Sequence, residues 1–273
     1  MSSPTGFHVR HDLRPNLTYE LLLIFRSSPS GLRTEKIEEV AHMNGYELRH
    51  RKSYGKLLSS LSELGLIQQI DKQMILSETG RVVADIVAYQ PQLLTELIHF
   101  LYYTAWHQDS NNRFSWSYQT LCNMLWHTSP GSLDTNHLVN SVIQRAQDQF
   151  GLHSISFSIS SVSGILNWIS GLQPPCLYEK DNSRYFVPRT YCPVEVFALA
   201  LNHIYQRSLT DDGNYVPVSA ELRGQVCEIC LLAYESFAEM LEQAESCFEA
   251  LHVRRERGER FSMADFSWQT LNE

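Results

Sequence analysis

The residues best suited to holding a ligand form one run, Arg49-His50-Arg51-Lys52-Ser53-Tyr54-Gly55-Lys56. Arginine and lysine attract phosphate by charge, and a serine hydroxyl adds a neutral hydrogen bond, so Arg49, Arg51, Lys52, Ser53 and Lys56 suit the backbone and groove of double-stranded DNA. Lys72 and Gln73 follow at a turn between two short apolar runs, and Lys180 and Arg184 flank a second such turn. That is binding chemistry. For bond-making chemistry the sequence offers little. Cys227-x-x-Cys230 has metal-ligand spacing, with Cys176 and Cys192 as the remaining donors. The pair lies in EICLLAYESF, a helical run and not a turn-rich knuckle, so both cysteines read as core residues. None of the 11 histidines forms His-Glu-x-x-His. There is no Gly-x-x-x-x-Gly-Lys loop, no Gly-x-Ser-x-Gly elbow and no Gly-x-Gly-x-x-Gly turn. Asp211-Asp212 falls in a loop. No catalytic residue, metal or cofactor is expected.

The elements that must carry the basic run can be read from spacing. TYELLLIFRSS predicts a first helix, ended by Ser30-Gly31. Thr34 reads as the cap of a second, with Ile37, Val40, Ala41 and Met43 on its apolar face and Gly45 at its end. Tyr54, Leu57, Leu58, Leu61 and Leu64 form the buried stripe of a third helix over about 51–64. Arg51, Lys52, Ser53, Lys56, Ser59, Ser60 and Glu63 lie opposite. LIQQIDKQMILSETG then predicts a hairpin turning at Asp71-Lys72-Gln73. Helix, helix, basic helix and hairpin is the order of a winged helix-turn-helix, in which the third helix enters the major groove and the hairpin touches phosphate.

Ser77 caps a further helix that stops before Pro91, and an aromatic helix runs from Leu93 to Trp106. Helices are also expected from about Trp116 to His127, from Asp134 or Thr135 to Phe150, and from Ser161 to Ile169. CLYEKDNSRYFVP reads as a second hairpin, so the first module is partly echoed. Tyr102, Tyr103, Trp106, Phe114, Trp116 and Tyr118 have only Arg113 among them and read as core, not as a base-stacking platform. After a helix over 194–206 and a polar loop, Leu222, Val226, Ile229, Ala233, Phe237, Met240, Ala244, Cys247 and Leu251 continue at spacings of three and four. They predict one long helix from Ser219 to Arg257, its flanks acidic from Glu228 to Glu249.

Composition is that of a globular protein: 273 residues, 43% hydrophobic and 19% charged. The first residues lack the apolar core of a signal peptide, and the stretch from Leu93 to Trp106 is broken by Glu96 and His99. Six scattered cysteines make no disulfide framework, so a cytoplasmic protein is expected, with no membrane partner. The net charge of −8 is unevenly spread. Residues 1–82 carry 11 basic and 9 acidic groups, and the remainder 11 and 21. DNA contact therefore belongs to the first part.

The order of features resembles a group of prokaryotic winged-helix proteins of unknown function encoded beside DNA-modification and anti-phage restriction genes. It rests on the first module, LSETGRVVADIV, the aromatic helix with FSWSYQTLCNML, and YEKDNSRYFVPR ahead of PVEVFALALNHIY, over about residues 15–206. The group's Gly-His-Glu-type opening is replaced here by Gly6-Phe7-His8-Val9-Arg10-His11, and the segment after Ser219 lies outside the likeness. The resemblance implies a place in antiviral defence.

The expectation is a mainly α protein of tandem winged helix-turn-helix units with short β-hairpin wings and a long C-terminal helix. Its segments are a winged domain at 1–90, a helical domain with a second winged unit at 91–206, and an acidic helix and tail at 207–273. The expected function is non-catalytic DNA binding within a protein complex, other subunits docking on the C-terminal helix. The alternative is an adaptor that docks proteins and leaves DNA alone.

Overall fold

The computed structural model describes the chain except for residues 1–4, 8–13, 47–53, 129–130, 182, 209–214, 257 and 273. It is mainly helical, with small sheets of two or three strands. Internal packing divides it into a smaller unit, residues 10–97 with 271–273, and a larger one, residues 1–9 with 98–270. Residues on both sides of position 206 thus belong to one unit, where the sequence had suggested a boundary. Among the described residues, no helix is long and apolar enough to cross a membrane.

The first strand, β1 (Thr5–Gly6), belongs to the larger unit. The smaller unit begins with α1 (Pro15–Arg26), which buries Leu21, Leu22, Ile24 and Phe25. A 3-10 turn, Thr34–Lys36, leads into α2 (Ile37–Met43), so Thr34 starts that turn instead of capping the helix. Gly45 closes α2 at φ +80, as expected, but Met43 is 70% exposed: it lies off the face that Ile37 and Ala41 bury. In α3 (Tyr54–Glu63) Leu57, Leu58 and Leu61 are buried, and Leu64 with them. Ser60, expected opposite the stripe, is buried too, its hydroxyl donating back to the carbonyl of Lys56 (3.1 Å). β2 (Ile67–Ile70) and β3 (Gln73–Leu76) form the hairpin in register Ile67↔Leu76 to Ile70↔Gln73. Asp71 and Lys72 between them both have positive φ, 48° and 66°, the pattern of a tight hairpin turn that follows the strand twist. Leu32 bridges Met74 on the other side of β3. α4 (Glu78–Tyr89) is capped by Ser77, whose oxygen accepts from the Gly80 amide (2.9 Å). Gly80 must be glycine, because a Cβ there would run into the carbonyl of Leu66.

The larger unit takes most of α5 (Leu94–Gln108), followed by α6 (Arg113–Thr128), β4 (Gly131–Ser132) and α7 (Thr135–Phe150). Asp134 caps α7, and Gly151 ends it in the left-handed region. β5 (Ile155–Ser156) pairs in parallel with β1, and this seats Phe7 against Trp116 and Phe150. The ring of Phe7 also lies 5.4 Å from the Arg113 guanidinium. Tyr102, Tyr103, Phe114, Trp116 and Tyr118 are buried, the core role their lack of basic neighbours indicated. α8 (Ile159–Ile169) precedes the second hairpin, β6 (Leu177–Lys180) and β7 (Ser183–Phe186), and β4 pairs on the free side of β7.

After α9 (Val194–Ser208) and β8 (Val216–Pro217) the long helix is not found. α10 (Ala220–Cys230) stops at Leu231, which takes the left-handed conformation (φ 50°, ψ 38°). A continuing helix would use carbonyls 229 to 232 internally. Here all four accept from elsewhere: Ile229 from His99 Nε2 (2.8 Å), Cys230 from Arg189 Nε (2.8 Å), Leu231 from the Arg189 amide (3.0 Å), and Leu232 from Trp126 Nε1 (2.8 Å). After a 3-10 turn at Tyr234–Ser236, α11 (Phe237–Cys247) resumes. The chain ends in a third hairpin, β9 (His252–Arg254) and β10 (Arg260–Ser262), with β8 paired on β10. The apolar stripe was core, on two helices. Leu222, Val226, Ile229, Phe237, Met240, Ala244 and Leu251 are buried, while Cys247 is exposed.

Among the described residues, one order of elements therefore recurs. A helix, a short strand, two helices and a hairpin, the first strand beside the last, occurs twice, and in the first 90 residues the single bridge Leu32–Met74 stands where the strand would be. The corresponding sheets are β2–β3 with Leu32 bridged to β3, β4–β7–β6, and β8–β10–β9.

Candidate nucleic-acid interface

Of the sequence-selected residues, Arg49, Arg51, Lys52 and Ser53 lie outside the described residues. Lys56 sits in the first turn of α3, exposed, while its neighbours Leu57 and Leu58 enter the core. The period of the helix does this: residues one step off the stripe must face water. Lys72 is exposed in the hairpin turn, and Gln73, half-buried, begins β3 opposite Ile70. These three belong to one unit. Among the described residues, neither Lys56 nor Lys72 pairs with a carboxylate. Lys180 and Arg184 are exposed on the second hairpin, in the other unit. Arg184 is partly neutralised there by Glu179 (2.9 Å).

The helix in the third position differs among the three repeats. α3 carries Lys56 and follows directly on the basic run. α8, ISSVSGILNWI, has no charged residue, and Ile159, Ser160 and Asn167 form its exposed side. α11 exposes Glu239, Glu242 and Gln243 and has no basic residue. The exposed side of the third-position helix thus carries a lysine in the first, no charge in the second and carboxylates in the third.

Several histidines and cysteines of the larger unit are withdrawn from solvent and meet protein partners. Ile229 O can only accept, so His99 Nε2 carries the proton and Nδ1 accepts from the Tyr118 hydroxyl (2.7 Å). Burial, with the Arg189 charge nearby, lowers the His99 pKa to about 3. The amide of Gln119 donates to His107 Nε2 (3.1 Å), leaving His107 Nδ1 to donate to His203 Nε2 (2.9 Å). Burial holds each of that pair at about 4. This histidine pair, far apart in the chain, gave no sequence signal. Cys227 and Cys230 are buried in α10, where burial raises Cys227 to about 12 and also holds Cys230 well above the ordinary thiol value. Thiols kept protonated are poor nucleophiles and poor metal ligands. Among the described residues no three His, Cys, Asp or Glu side chains are placed to share an ion.

Sequence reading also missed the third hairpin, whose Arg254 and Arg260 it had assigned to or beyond a helix. Four arginines against two glutamates within 252–262 were the available signal. No family model, curated protein or solved structure matches this chain.

Proposed function

We propose that the chain is a non-catalytic DNA-binding protein built of three winged-helix units, and that the first unit grips duplex DNA. The recurrence of helix, strand, helix, helix and hairpin, with a bridge at Leu32 in place of the strand in the first instance, supports the winged-helix reading. The observation that carries the DNA reading is the contrast among the third-position helices. Only α3 combines an exposed lysine with a preceding basic run, and its own hairpin turn offers Lys72. α3 then lies in the major groove, and Lys72 meets the phosphate backbone. On the sequence resemblance, the setting is a prokaryotic anti-phage complex.

The acidic exposed side of α11 favours a second reading, an adaptor that docks a protein and leaves DNA alone. A gel-shift titration against salt separates the two. Wild type should bind a duplex with affinity that falls steeply with salt, and Lys56→Glu/Lys72→Glu should weaken binding and flatten that dependence. Equal binding by variant and wild type would remove the first unit from the interface. No binding by wild type at low salt would leave the adaptor.

A further inference from the structure

The third hairpin holds a pair of like charges face to face. Arg254 on β9 and Arg260 on β10 are direct cross-strand partners, both exposed, so their side chains leave the same face of the sheet. Like charges placed so destabilise an antiparallel pair. Four arginines of the chain have a carboxylate partner, Arg26 with Asp85, Arg184 with Glu179, Arg223 with Glu259, and Arg255, next to Arg254 in sequence, with Glu245. Among the described residues neither Arg254 nor Arg260 meets a carboxylate. Arg254 is instead laid over the ring of Tyr215, 4.1 Å from its centroid, which holds the guanidinium in place.

We infer that this face of the third hairpin is a second nucleic-acid contact, in which Arg254 and Arg260 bind adjacent phosphates of a phosphodiester backbone. Cross-strand residues are about 4.5–5.5 Å apart at Cα. Phosphates on one strand advance about 3.4 Å along the helix axis for each nucleotide. Two guanidinium forks springing from such close points can therefore each take a neighbouring phosphate, and the fork geometry matches phosphate oxygens. The bound polyanion removes the repulsion that the free hairpin carries. Because α11, the helix just before this hairpin, is acidic on its exposed side, the contact is to backbone and reads no bases. The contact lies in the larger unit and does not rest on the role proposed for α3.

The test uses the full chain and two labelled oligonucleotides of mixed sequence, one duplex and one single-stranded. Arg254→Gln/Arg260→Gln should lose roughly tenfold or more in affinity at 0.1 M salt and should lower the slope of log K against log salt by about 1.8 on a duplex. A smaller change in slope, about 1.4, is expected on a single strand. Loss on one oligonucleotide alone identifies the form that is bound. Arg260→Gln by itself relieves the like-charge pair and leaves the Arg254–Tyr215 stack intact, so its melting temperature should equal or exceed that of wild type while its affinity falls. Unchanged affinity and slope for the double variant on both oligonucleotides overturn the inference, even if Lys56→Glu/Lys72→Glu binds weakly. The opposite result, with only the hairpin variant affected, supports the inference and sinks the α3 assignment. A lower melting temperature for Arg260→Gln would show that the arginine pair serves the fold, and would also overturn the inference.

Discussion

Arg189 reaches the end of a helix 41 positions away in the chain: its Nε donates to the carbonyl of Cys230 at 2.8 Å. Its backbone holds the next residues, the amide donating to Leu231 O and the carbonyl accepting from the Ala233 amide. The guanidinium also donates to Gln173 O through Nη1 (3.2 Å). With His99 and Trp126, one buried arginine thus holds the end of α10, and it joins that end to the segment before α9. Leaving its acceptors unpaired in the core costs about 1–3 kcal/mol for each group. Arg189→Met, similar in length and uncharged, is expected to destabilise the larger unit by roughly 3 kcal/mol, read as a lower urea midpoint with an unchanged slope. An unchanged midpoint would show that the break at Leu231 is held by other contacts.

Acid sensitivity follows from one buried histidine, His99, and two half-buried ones, His107 and His203. His99 at about 3, and His107 and His203 at about 4, all lie below the usual histidine value of 6.5, so the folded state binds fewer protons than the unfolded one. Their contribution to stability is complete above pH 6.5 and is lost as pH falls from there to about 4, and further to about 3 for His99. Melting temperature should therefore drop steadily between pH 6.5 and 4. Because His203 Nε2 must be unprotonated to accept from His107, and His107 Nε2 unprotonated to accept from Gln119, His107→Gln/His203→Gln should flatten much of that drop. A melting temperature independent of pH across this window would contradict the lowered affinity of these rings for protons.

The smaller unit was the more legible of the two, and the reasons are local. Ser77, Gly45 and Gly65 mark helix ends by their own chemistry, and the leucines of α3 repeat with the helix. Asp134 and Gly151 bracket α7 in the same way. The break in the expected long helix has no such mark. Its left-handed residue is a leucine, with no glycine or proline between Gly224 and Gly258, and the donors that hold it come from His99, Trp126 and Arg189. The apolar spacing even runs through it, since Ile229, Ala233 and Phe237 keep intervals of four. Without that break the third repeat was invisible, and with it the hairpin that carries Arg254 and Arg260. In the first repeat, Lys56 and Lys72 could be placed because both lie next to readable elements.

Leucine at 231 also poses a question of magnitude. The left-handed conformation costs a non-glycine residue roughly 1–2 kcal/mol. Leu231 is fully buried, and emptying such a site costs roughly 2–5 kcal/mol. Burial outweighs strain. Leu231→Gly should therefore destabilise by about 1–3 kcal/mol, although glycine is the residue that usually ends a helix. A stabilised Leu231→Gly in the same urea titration would mean that the pocket around it collapses freely.

Lys72 reverses that balance. It too has positive φ, 66°, but it is exposed and buries nothing that a glycine would lose. Lys72→Gly should stabilise the smaller unit by up to about 1 kcal/mol, since glycine takes this conformation without strain. If Lys72 meets a phosphate, the same change should weaken duplex binding and lower the slope of log K against log salt by about 0.9, one counterion fewer. A variant that melts higher and binds more weakly shows that the lysine is kept for its charge against the preference of the turn. If it melts higher and binds duplex as wild type does, with an unchanged salt slope, the first hairpin does not touch DNA, and any grip by this unit rests on α3 and the basic run before it.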